Sequence, residues 1–296
     1  MLVSWLYTCT TTPPRLRLLQ FLSHRGALNQ TIENYQATSQ NKYAYATLLC
    51  DDVMTDAIKV LIYSLKKNTD LPFLLLVLPG VQQREELVQL GAEIHEISML
   101  DYPFRVTAEK TAINKMCRYS KLHIWKFIEY KRIIYIDVDC LVMQSLDGAF
   151  KWPEFSAVRD AGDTFNTGLF VLEPSLQTWE SMRDSYFTAP SYNQGDQGFI
   201  NWFFRNATKT ALPVRYNTVC KNKGHATWPL MKRQAKMIHY TSETKPWNFF
   251  ASPHKYWRQN FDAPMYYLWT RTFRHICQKL RIGMQTGPCL TPHRCA

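Results

Sequence analysis

Short apolar runs alternate with longer helical periods from Tyr43 onward, and this alternation constrains the fold more than any other feature of the chain. The run YAYATLL (43–49) indicates a strand, DAIKVLIYSLKKN (56–68) a helix with one apolar face, and FLLLVLP (73–79) a strand buried on both sides. A helix at 84–91, a strand at 92–97 and a long amphipathic helix at 115–130 continue the pattern. Alternation of this kind predicts an α/β fold with a mostly parallel central sheet flanked by helices.

The rest of the chain adds strands at 155–160, 169–172 and 236–241, and helices at 175–186, from 195 onward and at 264–280. No Gly/Ser-rich or Pro-rich linker divides the 296 residues. We therefore expect a single Rossmann-like domain at 41–262, preceded by an extension at 1–40 and followed by a helix and irregular tail at 263–296.

The first 32 residues contain no acidic side chain, while three arginines lie among leucines and threonines. A targeting segment, a remnant of a membrane anchor and a disordered start all fit this composition. The apolar runs there are too short for a spanning helix, so we expect no transmembrane span, although contact with a membrane surface stays open.

The formal net charge of +11 favours anionic partners, such as phosphorylated small molecules, nucleic acid or an acidic membrane surface. No block of consecutive basic residues supports nucleic acid, and we do not expect it as a partner. The eight cysteines form no CxxC pair, and their spacing leaves a disulfide between Cys289 and Cys295 as one option.

The stretch IYIDVDCL (134–141) ends a buried strand with two aspartates. Side chains two residues apart on a strand point the same way, so Asp137 and Asp139 share a face. Close carboxylates repel unless positive charge lies beside them, and the carboxyl end of a strand in an α/β sheet faces the ligand crevice. A divalent cation bound there is one interpretation. In the other, one aspartate caps a turn and the second is solvated.

Two further residues favour the metal. His239 ends the strand predicted at 236–241, and an imidazole beside two carboxylates favours Mn²⁺, with Mg²⁺ as the alternative. Lys245 follows six residues later and offers a cation to a phosphate. Together these groups suit a bound diphosphate.

The stretch GDQG (195–198) sets Asp196 and Gln197 between glycines at the start of a helix, where both side chains could reach sugar hydroxyls. Asp196 as a plain helix N-cap is the competing interpretation. FNTG (165–168) equally fits a simple turn, and Lys121 fits a surface lysine whose stem covers apolar residues.

Taken together, four segments resemble glycosyltransferase family 8, the glycogenin-like enzymes. They are YSKLHIWKFIEYKRIIYIDVDCLV, FNTGLFVLEPS, GDQGFINWFF and HYTSETKPWNF, in the order and spacing of the family. The resemblance covers about Tyr43 to Phe250 and implies a GT-A fold, a UDP-sugar donor, a manganese ion and transfer with retention. The patterns LLCDD and KPWNFF look closer to plant and algal glucuronosyl- and galactosyltransferases. No tyrosine occurs at 217–238, where glycogenin carries its own sugar acceptor, and this argues against self-glucosylation.

The resemblance also implies roles for individual residues. Asp137, Asp139 and His239 match the metal ligands, and Asp196 and Gln197 match the pair beside the reacting carbon. The remaining matches are donor-binding positions: Leu48, Cys50, Asp51, Lys121, Val138, Asn166, Thr167, Asn193, Ser242 and Lys245.

The sequence therefore predicts a manganese-dependent retaining glycosyltransferase. It would move a hexose or hexuronic acid from UDP to an external hydroxyl of a carbohydrate, inositol or glycolipid. A UDP-sugar- or carbohydrate-binding protein of the same fold without turnover is the alternative, since Met54 and Asn193 depart from the family pattern. A basic nucleic-acid-binding protein ranks last.

Overall fold

The structure is a computed structural model that describes residues 42–105, 116–219, 232–242, 245–249 and 263–283. All of them belong to one compact unit. The predicted N-terminal extension, the irregular tail and the cysteines Cys289 and Cys295 lie outside the described residues.

Ten strands are present among the described residues. In chain order they are β1 (Tyr43–Leu49), β2 (Phe73–Val77), β3 (Glu93–Glu96), β4 (Arg132–Ile136), β5 (Cys140–Val142), β6 (Ser156–Arg159), β7 (Phe165–Leu172), β8 (Thr210–Ala211), β9 (Thr218–Val219) and β10 (Met237–His239). Seven of them form the central sheet in the order β3-β2-β1-β4-β7-β6-β8. The pairs β2–β3, β1–β2, β1–β4 and β6–β8 are parallel, while β7 runs antiparallel to both neighbours. The predicted α/β fold with a mostly parallel sheet is confirmed.

Helices cover both faces of this sheet. They are α1 (Thr55–Lys66), α2 (Glu85–Gln89), α3 (Leu176–Ser185), α4 (Asp196–Phe203), α5 (Pro246–Phe249) and α6 (Ala263–Gly283). One apolar core packs α1 against the sheet, and a second lies on the opposite face beneath α3 and α4. A third cluster joins α6 to α1 and β10 through side chains such as Trp269 and Val60. No described helix combines the length and the apolar character needed to cross a membrane.

A small second sheet has the strand order β5-β10-β9. Its strand β5 begins a few residues after the end of β4, so the whole sheet lies next to that end. Strand β10 runs antiparallel to β5, and His239 pairs with Cys140. This register places the imidazole beside Asp139, although the two residues are 100 positions apart in the sequence.

Two expectations about local structure were wrong. Instead of a long α-helix at 115–130, the described residues form a 3-10 helix, Arg118–Lys126, buried on nearly all sides. The Ser120 hydroxyl accepts a hydrogen bond from the Leu100 amide, and His123 Nε2 lies 3.0 Å from the Ser98 carbonyl oxygen, so tertiary contacts override the amphipathic pattern. FNTG is the start of strand β7 and not a turn.

A disulfide joins Cys50 and Cys117, a pair that the sequence did not indicate. Cys50 directly follows β1, and Cys117 directly precedes the 3-10 helix. The bond therefore ties the end of a central strand to the segment that carries Lys121.

Candidate active site

A cavity of about 1110 Å³ opens beyond the carboxyl ends of β1 and β4. A crevice at this position is where open α/β sheets bind ligands. It is lined by eleven of the fifteen residues predicted to form the site, namely Leu48, Cys50, Asp51, Lys121, Asp137, Val138, Asp139, Asn166, Gln197, His239 and Lys245. The fold thus gathers residues from six separate segments around one space.

Four predicted residues are missing from the described lining of this cavity. Asp196 and Thr167 are buried, and their side-chain oxygens lie 3.5 Å apart. The Asn193 carboxamide oxygen accepts hydrogen bonds from the backbone amides of Gly195 and Gly198, so it shapes the loop before α4. Ser242 follows β10 outside the lining.

Lys121 joins two of the carboxylates. Its ammonium nitrogen lies 3.0 Å from Asp137 Oδ1 and 2.6 Å from Asp196 Oδ2, and only 2% of the residue is exposed. Burial alone would lower the pKa of Lys121, but the charges of Asp137 and Asp196 hold it above its ordinary value. Lys121 is therefore not a surface lysine. Asp196 is not an N-cap either, since Gly195 holds that position and the carboxylate faces Lys121.

Asp139 has different partners. Lys245 Nζ donates to Asp139 Oδ2 at 2.7 Å and to the Tyr240 carbonyl at 2.5 Å, while His239 Nε2 lies 3.1 Å from Asp139 Oδ1. Burial would raise the pKa of Asp139, but the neighbouring His239 and Lys245 hold it well below its usual range. Both aspartates are consequently ion-paired, and the interpretation as a turn cap and a solvated charge is wrong.

A chain of amides sets the orientation of the His239 ring. The Gly168 amide donates to Asn166 Oδ1, which identifies that atom as the carboxamide oxygen. The same oxygen accepts from Asn217 Nδ2, so Asn217 Oδ1 is left to face His239 Nδ1 at 3.1 Å. Nδ1 therefore carries a hydrogen, and Nε2 is the ring nitrogen that faces the two aspartates.

This arrangement fits a divalent cation. His239 Nε2 is 3.1 Å from Asp139 Oδ1 and 4.0 Å from Asp137 Oδ2, so one nitrogen and two carboxylate oxygens converge. In a metal complex the imidazole would direct its Nε2 lone pair, and the two aspartates their carboxylate oxygens, at the same cation. Metal-binding histidines typically donate their other ring N–H to a carbonyl or carboxylate oxygen, as His239 does to Asn217. Asp137, Asp139 and His239 could therefore hold a hard or borderline divalent metal.

Cys140 also lies near this group, within 4.8 Å of Asp139 and His239 ligand atoms. It is a weaker candidate ligand, because burial and the charges of Asp139 and Asp137 raise the pKa of its thiol well above the ordinary value. A protonated thiol binds metal poorly.

Gln197 lines the cavity in a fixed position. Its Oε1 accepts from the Thr167 amide at 3.2 Å, and its Nε2 donates to Asp160 Oδ2 at 3.1 Å and to the Tyr192 hydroxyl at 2.7 Å. All polar atoms of this side chain are thus engaged and its orientation is fixed.

Several residues of the site were not predicted from the sequence. Asn217 and Asp160 contact predicted residues, Arg118 lines the cavity three positions before Lys121, and α6 contributes Trp269 and the exposed Arg274. In a 3-10 helix, side chains three apart lie on the same face, which could have indicated Arg118 had the helix type been known. Asn217 had no local signal, because its role depends on a contact across 51 residues.

Comparisons with known proteins found a family and several relatives that this chain resembles. The sequence model of the family "Glycosyl transferase family 8" matches residues 33–251. Human glycogenin-2 is 31% identical over 225 residues, which cover 71% of this chain but only 44% of the relative. Galactinol synthase 2 of Arabidopsis thaliana is 28% identical over 261 residues, 74% of this chain and 77% of the relative. A crystal structure of the galactosyltransferase LgtC with donor and acceptor sugar analogues superposes with a TM-score of 0.55 at 14% identity, covering 83% of this chain and 98% of that one.

Proposed function

The chain belongs to glycosyltransferase family 8 and has a GT-A fold, and from this premise we propose that it transfers a hexose or hexuronic acid from a UDP-sugar to an external hydroxyl. The transfer is manganese-dependent and retains the anomeric configuration. The transferase domain spans 41–262, and α6 adds a wall to its cavity.

The observation that carries the proposal is the convergence of opposite charges in one cavity. Asp137, Asp139 and His239 present ligand atoms for a cation, while Lys245 stands beside them with its ammonium 2.7 Å from Asp139. A cation site paired with a lysine at the end of a parallel sheet suits a nucleoside diphosphate, whose negative charge grows as it departs.

Mn²⁺ held by these three residues would supply Lewis-acid stabilisation of the departing UDP. Lys245 would exchange one of its present hydrogen bonds for an oxygen of the diphosphate. Leu48, Cys50 and Asp51 line the end of the cavity beyond β1, where uridine would lie. Asn166 and Gln197 line the part where sugar hydroxyls would accept and donate hydrogen bonds, with Thr167 holding Gln197 in place.

In the reaction, the bond from the anomeric carbon to the diphosphate oxygen breaks and a bond to the acceptor oxygen forms. The Asp196 carboxylate is buried, ion-paired with Lys121 and outside the cavity lining. A direct attack by Asp196 would require the loss of that ion pair. We therefore favour same-face transfer, in which the acceptor proton passes to the departing phosphate oxygen and Asp196 keeps Lys121 in position.

The test is release of UDP from glucose, galactose, glucuronic acid and N-acetylglucosamine donors, measured with Mn²⁺ and with EDTA. We expect release from at least one donor with Mn²⁺, at least a 100-fold loss in Asp139→Asn, and no loss in Asp184→Asn, which removes an exposed carboxylate on α3. Equal UDP release in all conditions would refute the proposal. Mn²⁺-dependent binding of UDP-sugars without any release would instead identify a binding protein that lacks turnover.

A further inference from the structure

A second, shallower cavity of about 280 Å³ lies beside α4. Its lining is mostly apolar and includes Pro190, Tyr192 and Trp202, with Asp163 and Lys209 supplying charged groups. Tyr192 is 59% exposed, which makes it one of the most exposed large apolar side chains among the described residues. An exposed aromatic surface with a polar rim is typical of a binding site.

Tyr192 connects this cavity to the candidate active site. Its ring lines the smaller cavity, and its hydroxyl accepts a hydrogen bond of 2.7 Å from Gln197 Nε2. Gln197 in turn lines the large cavity. This hydrogen bond therefore links a residue that lines the smaller cavity to a residue that lines the larger one.

Trp202 provides the second ring of this surface. The Arg205 guanidinium lies 4.2 Å from the Trp202 ring centroid, and Phe199 stacks near it at 6.1 Å. These contacts restrain the indole on α4, where Trp202 contributes an apolar wall to the smaller cavity. A rigid aromatic side chain binds a ligand with little loss of conformational entropy.

The loop that carries Tyr192 is also held closely to α4. A Cβ added at Gly198 would lie 2.7 Å from Asn193 Oδ1 and 2.9 Å from the Tyr192 backbone nitrogen. Only a glycine permits this approach, and the loop position of Tyr192 is therefore set by the second glycine of GDQG.

We propose that Tyr192 and Trp202 form an acceptor platform, on which a pyranose ring of a carbohydrate acceptor lies while its hydroxyl reaches across Gln197 to the donor sugar. The ligand class follows from the chemistry. The C–H faces of a pyranose are apolar and match aromatic rings, whereas its hydroxyls would meet Asp163 and Lys209 at the rim. This inference rests on the proposed function, because only a sugar transferase requires an acceptor beside Gln197.

The test uses maltotriose, xylotriose and lactose as probes, with binding measured by saturation-transfer NMR in the presence of UDP and Mn²⁺. We expect millimolar binding of at least one probe, weakened at least tenfold in Trp202→Ala and in Tyr192→Ala. Tyr267→Ala, which removes a comparably exposed aromatic ring on α6, should leave sugar binding unchanged. UDP affinity, measured by calorimetry, should stay within twofold in all three variants and reports that each one is folded.

Tyr192→Phe separates the platform from a purely structural role. It keeps the ring but loses the hydrogen bond to Gln197, so acceptor KM should stay within twofold while kcat falls several-fold. Unchanged sugar binding in both alanine variants would overturn the platform, as would a wild-type protein that binds UDP but none of the three sugars. A wild-type protein that does not bind UDP would refute the proposed function itself, which keeps the two failures distinct.

Discussion

Substitution of Gly168 by alanine should disable the candidate metal site without removing any ligand atom. A Cβ at this position would lie 2.5 Å from His239 Nδ1, closer still to Cε1, and 2.9 Å from Asn166 Oδ1. Ordinary contacts of a Cβ atom begin near 3.4 Å, so the imidazole must retreat by about 1 Å, and the Asn166 amide that fixes its orientation must also shift.

The expected magnitude follows from that displacement. A misplacement of about 1 Å in a positioned group costs on the order of 100-fold in function, and the loss of a hydrogen-bond partner of a metal-binding histidine costs about 10- to 100-fold in metal affinity. We therefore predict that Gly168→Ala binds UDP in the presence of Mn²⁺ about 10- to 100-fold more weakly than the wild type. Overpacking of a buried site should also lower the free energy of unfolding by about 1–3 kcal/mol.

Isothermal titration of UDP with Mn²⁺ measures the first effect, and chemical denaturation measures the second. Gly80→Ala is the matched control, because no atom lies within 4 Å of its added Cβ, and it should behave as the wild type in both assays. If Gly168→Ala is folded and binds UDP within twofold of the wild type, His239 does not hold the cation in the way described.

Three further predictions concern charge, pH and covalent structure. Lys121→Met should abolish turnover and lower the free energy of unfolding by about 3–5 kcal/mol, because it leaves the buried Asp196 carboxylate unpaired; turnover near the wild-type rate would contradict this. Burial raises the pKa of Glu154 to about 7 from an ordinary value near 4.5. The stabilising contribution of the protonated carboxyl is therefore present at low pH and is lost as the pH rises through 7, by up to about 3 kcal/mol. Glu154→Gln should flatten the dependence of Tm on pH between 5 and 8 and be more stable than the wild type at pH 8; a parallel pH profile would refute this. Reduction of the Cys50–Cys117 bond, which spans 67 residues, should lower the free energy of unfolding by about 4 kcal/mol, and a variant with serine at both positions should no longer respond to dithiothreitol.

The sequence predicted the central sheet well because each strand carries its own signal. β1 and β2 are continuous apolar runs of the kind that parallel strands need, and both lie where the pattern indicates. The 3-10 helix that contains Lys121 was mistaken for an α-helix, because its amphipathic pattern gives no indication that Ser120 and His123 would bond to residues 98–100.

Much of the site could also be predicted from the sequence, since the aspartate pair and GDQG are local motifs. What could not be predicted depends on contacts between distant elements. Asn217 fixes His239 from the position just before β9, the disulfide joins Cys50 to a residue 67 positions away, and Gly168 is required only because an imidazole lies against it. These features follow from tertiary packing and have no periodicity of their own.

The most direct test of the account is the anomalous diffraction of a crystal soaked with MnCl₂ and UDP. We predict a manganese peak within coordination distance of Asp137, Asp139 and His239 Nε2, with the diphosphate next to it and Lys245 turned toward its oxygens. A manganese peak elsewhere, or UDP bound in the cavity with His239 still facing Asp139 and no metal between them, would contradict it.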